Sequence, residues 1–182
     1  MKNSLKNLTS TRREDWETPK WLFDFLNGEC QFNFSIDLAA TKDNRLCSNY
    51  VSPENDFLKL GADGVKNNLF WFHNFDRYWC WCNPPYGPRG LSSWIKPLLE
   101  IDNIVALVPA SVGAKWFTPI WQQSDVIVFL KKRLKFGNAE AGTMFDSALF
   151  IKGNLLTRDM VKELKKIGHV VTHPGIHTVG KR

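Results

Sequence analysis

The chain has 182 residues and combines 43% hydrophobic with 23% charged residues, which is typical of one globular domain with a packed core. It contains no apolar run of about 18 residues, so we expect no membrane-spanning helix. The formal net charge of +6 favours a polyanionic partner, although charge alone does not identify one.

The N-terminal part of the chain contains one predicted helix. Residues 1–14 are polar and basic, and we expect them to be mobile. Residues 18–28 have apolar side chains at the spacing typical of a helix. Thr18 can cap this helix, Pro19 suits its first turn and Gly28 ends it.

Strands and further helices alternate along the rest of the chain. Apolar runs predict strands at residues 31–40, 78–82, 103–111, 125–130 and 144–152. Helical patterns lie at residues 92–101, 114–123 and 157–168. The segments without a regular pattern are residues 41–60, 61–78 and 131–143. We interpret residues 170–182 as a C-terminal strand or tail. This order predicts an α/β fold with a mostly parallel central sheet and flanking helices, and we expect residues 15–182 to form one domain.

Residues of the types that bind metals are present, but their context argues against a metal site. Cys80 and Cys82 are one residue apart, which places both on one face of a strand and matches no common zinc motif. His169, His173 and His177 recur every fourth residue, yet the segment has β-branched residues and a Pro-Gly pair that oppose a helix. We therefore expect reduced thiols and no metal.

The most informative motif is Asn83-Pro84-Pro85-Tyr86, directly after a predicted strand. Ligands of α/β sheets bind beyond the carboxyl ends of strands, where Asp37 and residues 109–111 also lie. The two prolines stiffen the turn and add no N–H donors, so the Pro84 carbonyl and the Asn83 side-chain oxygen can hold both hydrogens of a planar amine. A planar amine is a weak nucleophile, so the main contribution to catalysis is to orient it toward an electrophilic methyl group. If the amine belongs to a nucleobase, the Tyr86 ring can stack on that base.

Several further segments strengthen this interpretation. They are DWETPKWLFDFLN (15–27), FSIDLAATKDN (34–44), WCNPPYG (81–87), LVPAS (107–111), KWF (115–117), LKFG (134–137) and MFDSALFI (144–151). Together they resemble the phage-type, Dam-like family of DNA N6-adenine methyltransferases. The resemblance implies a Rossmann-like fold and methyl transfer from S-adenosylmethionine to the exocyclic amine of a flipped adenine. This transfer needs no metal, and we expect no separate target-recognition domain because no long segment follows Ile151.

The resemblance also implies roles for individual residues. It assigns catalysis to Asn83, Pro84, Pro85 and Tyr86, and cofactor binding to Trp16, Thr18, Pro19, Asp37, Ala39, Asp56 and Asn83. Residues 16–19 would close over the methionine end of the cofactor, and Asp56 would accept from the cofactor adenine. Residues 37–44 lack the glycine-rich loop of most such enzymes, so Asp37 can serve either the methionine or the ribose position.

Double-stranded DNA is the implied partner. The residues that we expect to contact DNA or the flipped base are Tyr86, Lys115, Arg133, Lys135 and Phe136. Phe136 would stack on the base opposite Tyr86. Sequence readout would come from residues 61–78, residues 131–143 or the basic tail Lys181-Arg182.

Other interpretations of the same motif stay open. Cytosine N4, an RNA base and a protein glutamine are alternative amine substrates, and a non-catalytic DNA-binding module is an alternative of another class. We expect a monomer or weak dimer in the cytoplasm of a bacterial host, encoded by a phage or prophage. The resemblance alone implies a role in restriction-modification, including protection of phage DNA from restriction.

Overall fold

The computed structural model describes residues 16–68, 78–86, 90–137 and 143–173. The described part contains one seven-stranded sheet with helices on both faces. The strands are β1 (Phe34–Asp37), β2 (Asn49–Tyr50), β3 (Trp79–Cys82), β4 (Ile104–Pro109), β5 (Val126–Leu130), β6 (Ser147–Lys152) and β7 (Gly168–Thr172). The helices are α1 (Lys20–Asp24), which continues as a π-helical turn (Phe25–Glu29), α2 (Phe57–Asn68), α3 (Ser92–Leu99), α4 (Phe117–Gln123) and α5 (Arg158–Leu164).

The sheet is mixed, which corrects the prediction of a mostly parallel sheet. The strand order is β2-β1-β3-β4-β6-β5-β7. The ladders β1–β2, β1–β3 and β3–β4 are parallel, whereas β4–β6, β5–β6 and β5–β7 are antiparallel. The physical reason is that β6 inserts between β4 and β5 and runs against both of them. The prediction of an α/β fold is confirmed.

Two apolar layers cover the two faces of the sheet. Cys80 and Cys82 of β3 point to the layer formed with α2, α3 and α4. Trp79 and Trp81 of the same strand point to the opposite layer, formed with α1 and α5. This alternation follows from the two-residue period of a strand and confirms that both cysteines share one face. All four strand residues are at most 3% exposed, which explains why the strand reads as a continuous apolar run.

Two elements were not predicted. The helix α2 occupies part of the segment 61–78 that was expected to be a loop, because its Phe57, Ala62 and Val65 are buried against the sheet. Gly61 interrupts this helix with a φ of 62°, a backbone conformation that favours glycine. The strand β2 pairs with β1 and has only two residues. A strand this short shows no alternation of apolar and polar residues in the sequence.

Thr18 does not cap the first helix, which corrects that prediction. The N-cap position of α1 is Pro19, and no side chain caps this end. The Pro19 carbonyl accepts from the backbone N–H of Leu22 at 2.9 Å. The Thr18 hydroxyl is engaged elsewhere, in the site described below. The first helix is therefore ordered by packing of Leu22, Phe23 and Leu26 rather than by a cap.

The topology brings several segments to one edge of the sheet. β1, β3, β4 and β5 run in the same direction, so the residues after them share this carboxyl edge, as does the segment that leads into β6. The chain reverses its strand order between β1 and β3, where ligands of α/β sheets commonly bind. None of the helices within the described ranges has the length and apolar character needed to traverse a bilayer.

Candidate functional site

A cavity of about 570 Å³ opens at the carboxyl ends of β1 and β3. Its lining combines a strand-end carboxylate, aromatic rings and residues on both sides of the chain reversal. The lining residues that the following description uses are Trp16, Glu17, Thr18, Asp37, Ala39, Asn44, Asp56, Phe57, Asn83, Pro85 and Trp94. A cavity of this size, lined by both apolar and polar side chains, is typical of a small-molecule site.

Asp37 ends β1 and anchors the loop that follows it. Its Oδ1 accepts from the backbone N–H of Ala39 at 3.2 Å, and its Oδ2 accepts from the N–H of Leu46 at 3.3 Å. The residue is 3% exposed, and burial raises the pKa of its carboxyl group to about 6, against the effect of the two N–H donors. Asp37 therefore shapes the loop without glycine and still borders the cavity.

Asn83 follows β3 and is held by hydrogen bonds at both ends of its amide. Its Nδ2 donates to the carbonyl oxygen of Trp16 and, over 3.1 Å, to the Thr18 Oγ1. Its Oδ1 accepts from the Tyr86 hydroxyl at 3.0 Å. The structure thus joins the predicted motif to a segment more than sixty residues earlier in the chain.

Tyr86 is held at its hydroxyl group. This group lies 3.0 Å from Asn83 Oδ1 and 3.2 Å from the carbonyl oxygen of Leu107, and it can donate its single hydrogen to either. Burial raises the pKa of the phenol well above its usual range, so the hydroxyl stays protonated and acts as a donor. The ring packs edge-on against Phe145, with 6.0 Å between centroids.

The segment Trp16–Thr18 also contacts the loop that follows β5. The Trp16 ring lies 5.2 Å from the Phe136 ring and 5.6 Å from the Phe145 ring, both edge-on. The Glu17 carbonyl accepts from the Gly137 N–H at 3.1 Å. Phe136 is only 4% exposed, so stacking on a base would require its ring to leave this aromatic cluster.

Two of the three remaining predicted cofactor residues, Asp56 and Ala39, border the same cavity. Asp56 lines the cavity at the start of α2 with a φ of 49°; its Oδ1 accepts from the Leu58 N–H and its Oδ2 lies 3.4 Å from Lys59 Nζ. Ala39 lines the cavity as well. Pro19 lies at the start of α1, outside the lining, and Pro84 is buried and also lies outside the lining.

The predicted DNA-contacting cations are exposed near this edge of the sheet. Lys115 lies in the loop after β4, and Arg133 and Lys135 lie in the loop after β5. The Arg133 Nε donates to Asp146 Oδ1 at 3.0 Å in a pair whose side chains are more than half exposed. A surface pair of this kind is weak and can exchange for a phosphate. Residues 69–77, 138–142 and the tail Lys181-Arg182, proposed for base readout, lie outside the described residues.

The described cysteines are buried, and one described histidine bonds to the backbone. All four cysteines are unpaired and buried, and burial raises the pKa of Cys30 and Cys47 to about 12. His173 bonds through its ring to the carbonyl of Trp121, while His177 lies outside the described residues. Within the ranges that the structure describes, no three His, Cys, Asp or Glu side chains form a group suited to a metal ion.

Some lining residues were missed by sequence reasoning. Asn44 borders the cavity, and its Oδ1 accepts from the backbone N–H of Thr41 at 2.7 Å, which shapes the loop after β1. Trp94 stacks on Phe57 with 5.2 Å between ring centroids at the opposite wall. The Asn44 position was within a recognised motif, but nothing in the local pattern of Trp94 separates it from a core residue.

The chain matches known proteins over most of its length. The family model described as DNA N-6-adenine-methyltransferase (Dam) matches residues 6–182. A DNA N-6-adenine-methyltransferase of Haemophilus phage HP1 (strain HP1c1) is 28% identical over 145 residues, which cover 76% of this chain and 76% of that protein. A protein of the same name from Escherichia phage T1 is 26% identical over 130 residues, covering 70% of this chain and 49% of that protein.

Proposed function

The chain belongs to the DNA N-6-adenine-methyltransferase (Dam) family, and we infer that it methylates N6 of adenine in DNA with S-adenosylmethionine as the methyl donor. The observation that carries this proposal is the position of Asn83-Pro84-Pro85-Tyr86. The motif directly follows β3, and its Asn83 and Pro85 border the cavity that Asp37 borders from β1. The family favours adenine in DNA over cytosine, RNA or glutamine as the substrate.

The cavity supports S-adenosylmethionine as the ligand. Its position at the reversal of strand order is the one expected in a Rossmann-like methyltransferase. Asp37 and Asp56 supply carboxylates for the ammonium, hydroxyl or amino groups of the cofactor, and Phe57 and Trp94 supply flat apolar surface for its adenine. When bound, the cofactor supplies an electrophilic methyl group on its sulfonium sulfur.

The motif residues orient the target amine. Asn83 Oδ1 accepts one amine hydrogen and the Pro84 carbonyl accepts the other, so the nitrogen keeps its lone pair available. The amine nitrogen becomes cationic when it takes the methyl group from the sulfonium sulfur. It then releases a proton readily, so no strong base is needed. Tyr86 supports the heterocycle, whereas Phe136 can stack on its second face only after the Phe136 ring has left its contact with Trp16.

DNA is proposed to bind across the carboxyl edge of the sheet. The exposed Lys115, Arg133 and Lys135 lie there and can neutralise phosphates. Adenine must leave the duplex stack to reach Asn83, which costs a few kcal/mol. Stacking on Tyr86 would offset about 1–3 kcal/mol of that cost. Because both relatives are phage proteins, we propose action on DNA in the cytoplasm of a bacterial host.

The proposed function is tested by methylation of mixed-sequence duplex DNA. Incubation with S-adenosylmethionine, followed by nucleoside mass spectrometry, is expected to yield N6-methyladenine and no N4-methylcytosine. Sequencing that detects modified bases then gives the recognition site. Methylation of a protein or RNA in place of DNA under the same conditions would overturn the proposal.

Cofactor affinity is expected to fall as the pH is lowered through 6. The pKa of the Asp37 carboxyl is raised to about 6 by burial, so below that pH it takes up a proton and loses the charge that attracts the cofactor. With one proton linked to binding, affinity falls up to about tenfold per pH unit below the pKa. Calorimetric titration between about pH 5 and pH 8 measures this effect.

The effect of Asp37 on folding stability does not explain a loss of cofactor affinity at low pH, because the two change with pH in opposite directions. The usual pKa is 3.8, so the folded chain binds the Asp37 proton more tightly than the unfolded chain does. The contribution of Asp37 to folding stability is therefore largest below pH 3.8 and falls as pH rises to about 6. Asp37→Asn is expected to bind the cofactor weakly with a flat pH profile. An affinity of the unsubstituted chain that does not change with pH would contradict the role of Asp37.

A further inference from the structure

Both N–H groups of the Asn83 amide are held by one short segment of the chain. Nδ2 donates to the Trp16 carbonyl oxygen and to the Thr18 Oγ1, and a side-chain amide has two N–H donors in all. The Asn83 Oδ1 accepts from Tyr86 and has capacity for one further donor. Asn83 therefore meets a ligand in the cavity as an acceptor of a hydrogen bond and not as a donor.

The Trp16 carbonyl decides which way the amide faces. A carbonyl oxygen can only accept, so turning the Asn83 amide over would bring two oxygens together. The position of this carbonyl is itself fixed, because the Trp16 ring packs against Phe136 and Phe145. The neighbouring Glu17 carbonyl accepts from Gly137 at 3.1 Å, which holds the same segment to the loop after β5.

Thr18 takes the second N–H of Asn83 and leaves α1 without a capping side chain. A threonine before a helix normally stabilises it through such a cap. Here the hydroxyl group lies 3.1 Å from Asn83 Nδ2 and borders the cavity. The local interaction that the sequence favours is thus replaced by a contact with the catalytic motif.

We propose that Trp16–Thr18 is a positioning segment that makes Asn83 select for a target with an amino group. The proposal rests on the proposed function, since it takes adenine N6 as that group. Adenine offers N–H donors to Asn83 Oδ1, whereas hypoxanthine has an oxygen at the same position. A buried acceptor placed against another acceptor rejects the analogue strongly. Thr18 acts through Asn83 and is a positioning residue.

The test compares Thr18→Val, which removes the hydroxyl at nearly constant shape, with Thr18→Ser, which keeps it. At saturating cofactor, the single-turnover methylation rate of Thr18→Val is expected to fall roughly tenfold, because one Asn83 N–H loses its partner. Because Thr18 also borders the cavity, the Michaelis constant for the cofactor is measured as well, and saturating cofactor keeps any change in it from affecting the rate. Thr18→Ser is expected to recover most of the rate, and Thr18→Ala to behave like Thr18→Val.

A second measurement reports the orientation of Asn83 directly. Dissociation constants are measured for two duplexes with adenine or hypoxanthine at the methylated position. The unsubstituted chain is expected to prefer adenine at least about tenfold. In Thr18→Val the Asn83 amide keeps only its bond to the Trp16 carbonyl and can rotate, so the preference for adenine over hypoxanthine is expected to narrow at least about threefold. A merely structural role of Thr18 would weaken both complexes equally.

The outcomes separate the two proposals. If the unsubstituted chain does not methylate adenine in DNA, the proposed function fails. If it does, and Thr18→Val keeps both its rate and its preference for adenine, the positioning proposal alone is overturned. Thermal unfolding of each variant is measured alongside, and Thr18→Ala replaces Thr18→Val should the valine variant not fold.

Discussion

Asn83→Ala is expected to reduce methyl transfer about 10²–10³-fold, a loss comparable to removing one preorganised group from an active site. The substitution removes the oxygen that we propose to hold the target amine. It also removes the amide that joins the end of β3 to Trp16 and Thr18. Single-turnover transfer of a labelled methyl group to duplex DNA measures the effect.

The fold is expected to survive this substitution, because Asn83 is only partly buried and lies outside both apolar layers. Cofactor affinity, measured by calorimetry, should change much less than the rate. Asn154 offers a matched control, since it is exposed in the turn after β6 at the opposite edge of the sheet. Asn154→Ala should transfer methyl groups normally. Undiminished transfer by Asn83→Ala would refute the assignment of the motif.

The fold was predictable where a strand is buried on both faces. The runs around β3, β4, β5 and β6 are continuous apolar stretches because side chains on either side of the sheet enter a core layer. The direction of β6 was not read from the sequence. Residues 131–143 carry no helical pattern, and a parallel neighbour needs a long crossover that is usually helical, so the signal for an antiparallel strand was present.

The helix α2 shows why the remaining elements were missed. Gly61 and Gly64 lie in its sequence and are typical of turns, so local propensity favoured a loop. Burial of Phe57, Ala62 and Val65 against the sheet outweighs this preference, and that burial exists only after the chain has folded. Local pattern predicts an element well only where local and tertiary preferences agree.

In the candidate site, too, residues with a local sequence signal were predicted and contacts between distant residues were not. Asn83, Tyr86 and Asp37 could be proposed from the sequence because their expected chemistry depends on neighbours in the chain and on the ends of strands. The bonds from Asn83 to Trp16 and Thr18 join distant parts of the chain, and no local pattern reports such a contact. Thr18 shows the limit most clearly, because its local signal predicts a helix cap and its hydroxyl binds Asn83 instead.

Substitutions of Tyr86 are expected to separate two roles of this side chain. Tyr86→Phe keeps the ring and removes the hydroxyl that donates to Asn83 Oδ1, so transfer should fall only about 2–10-fold. Tyr86→Ala also removes the stacking surface, worth about 1–3 kcal/mol per base, and should lower transfer by about a further 5–150-fold. Single-turnover rates and DNA affinity are measured for both variants.

A loss of transfer in Tyr86→Ala does not by itself show that the ring stacks on the base. The Tyr86 ring packs against Phe145 and the apolar layer of α2 and α3, so Tyr86→Ala also leaves a space in the wall of the site. Tyr86→Leu, which fills much of that space without an aromatic face, is therefore the matched variant. If the ring stacks on adenine, Tyr86→Leu should resemble Tyr86→Ala in transfer and resemble Tyr86→Phe in thermal stability. Equal transfer by the leucine and phenylalanine variants would show that the Tyr86 ring fills space without supporting the base.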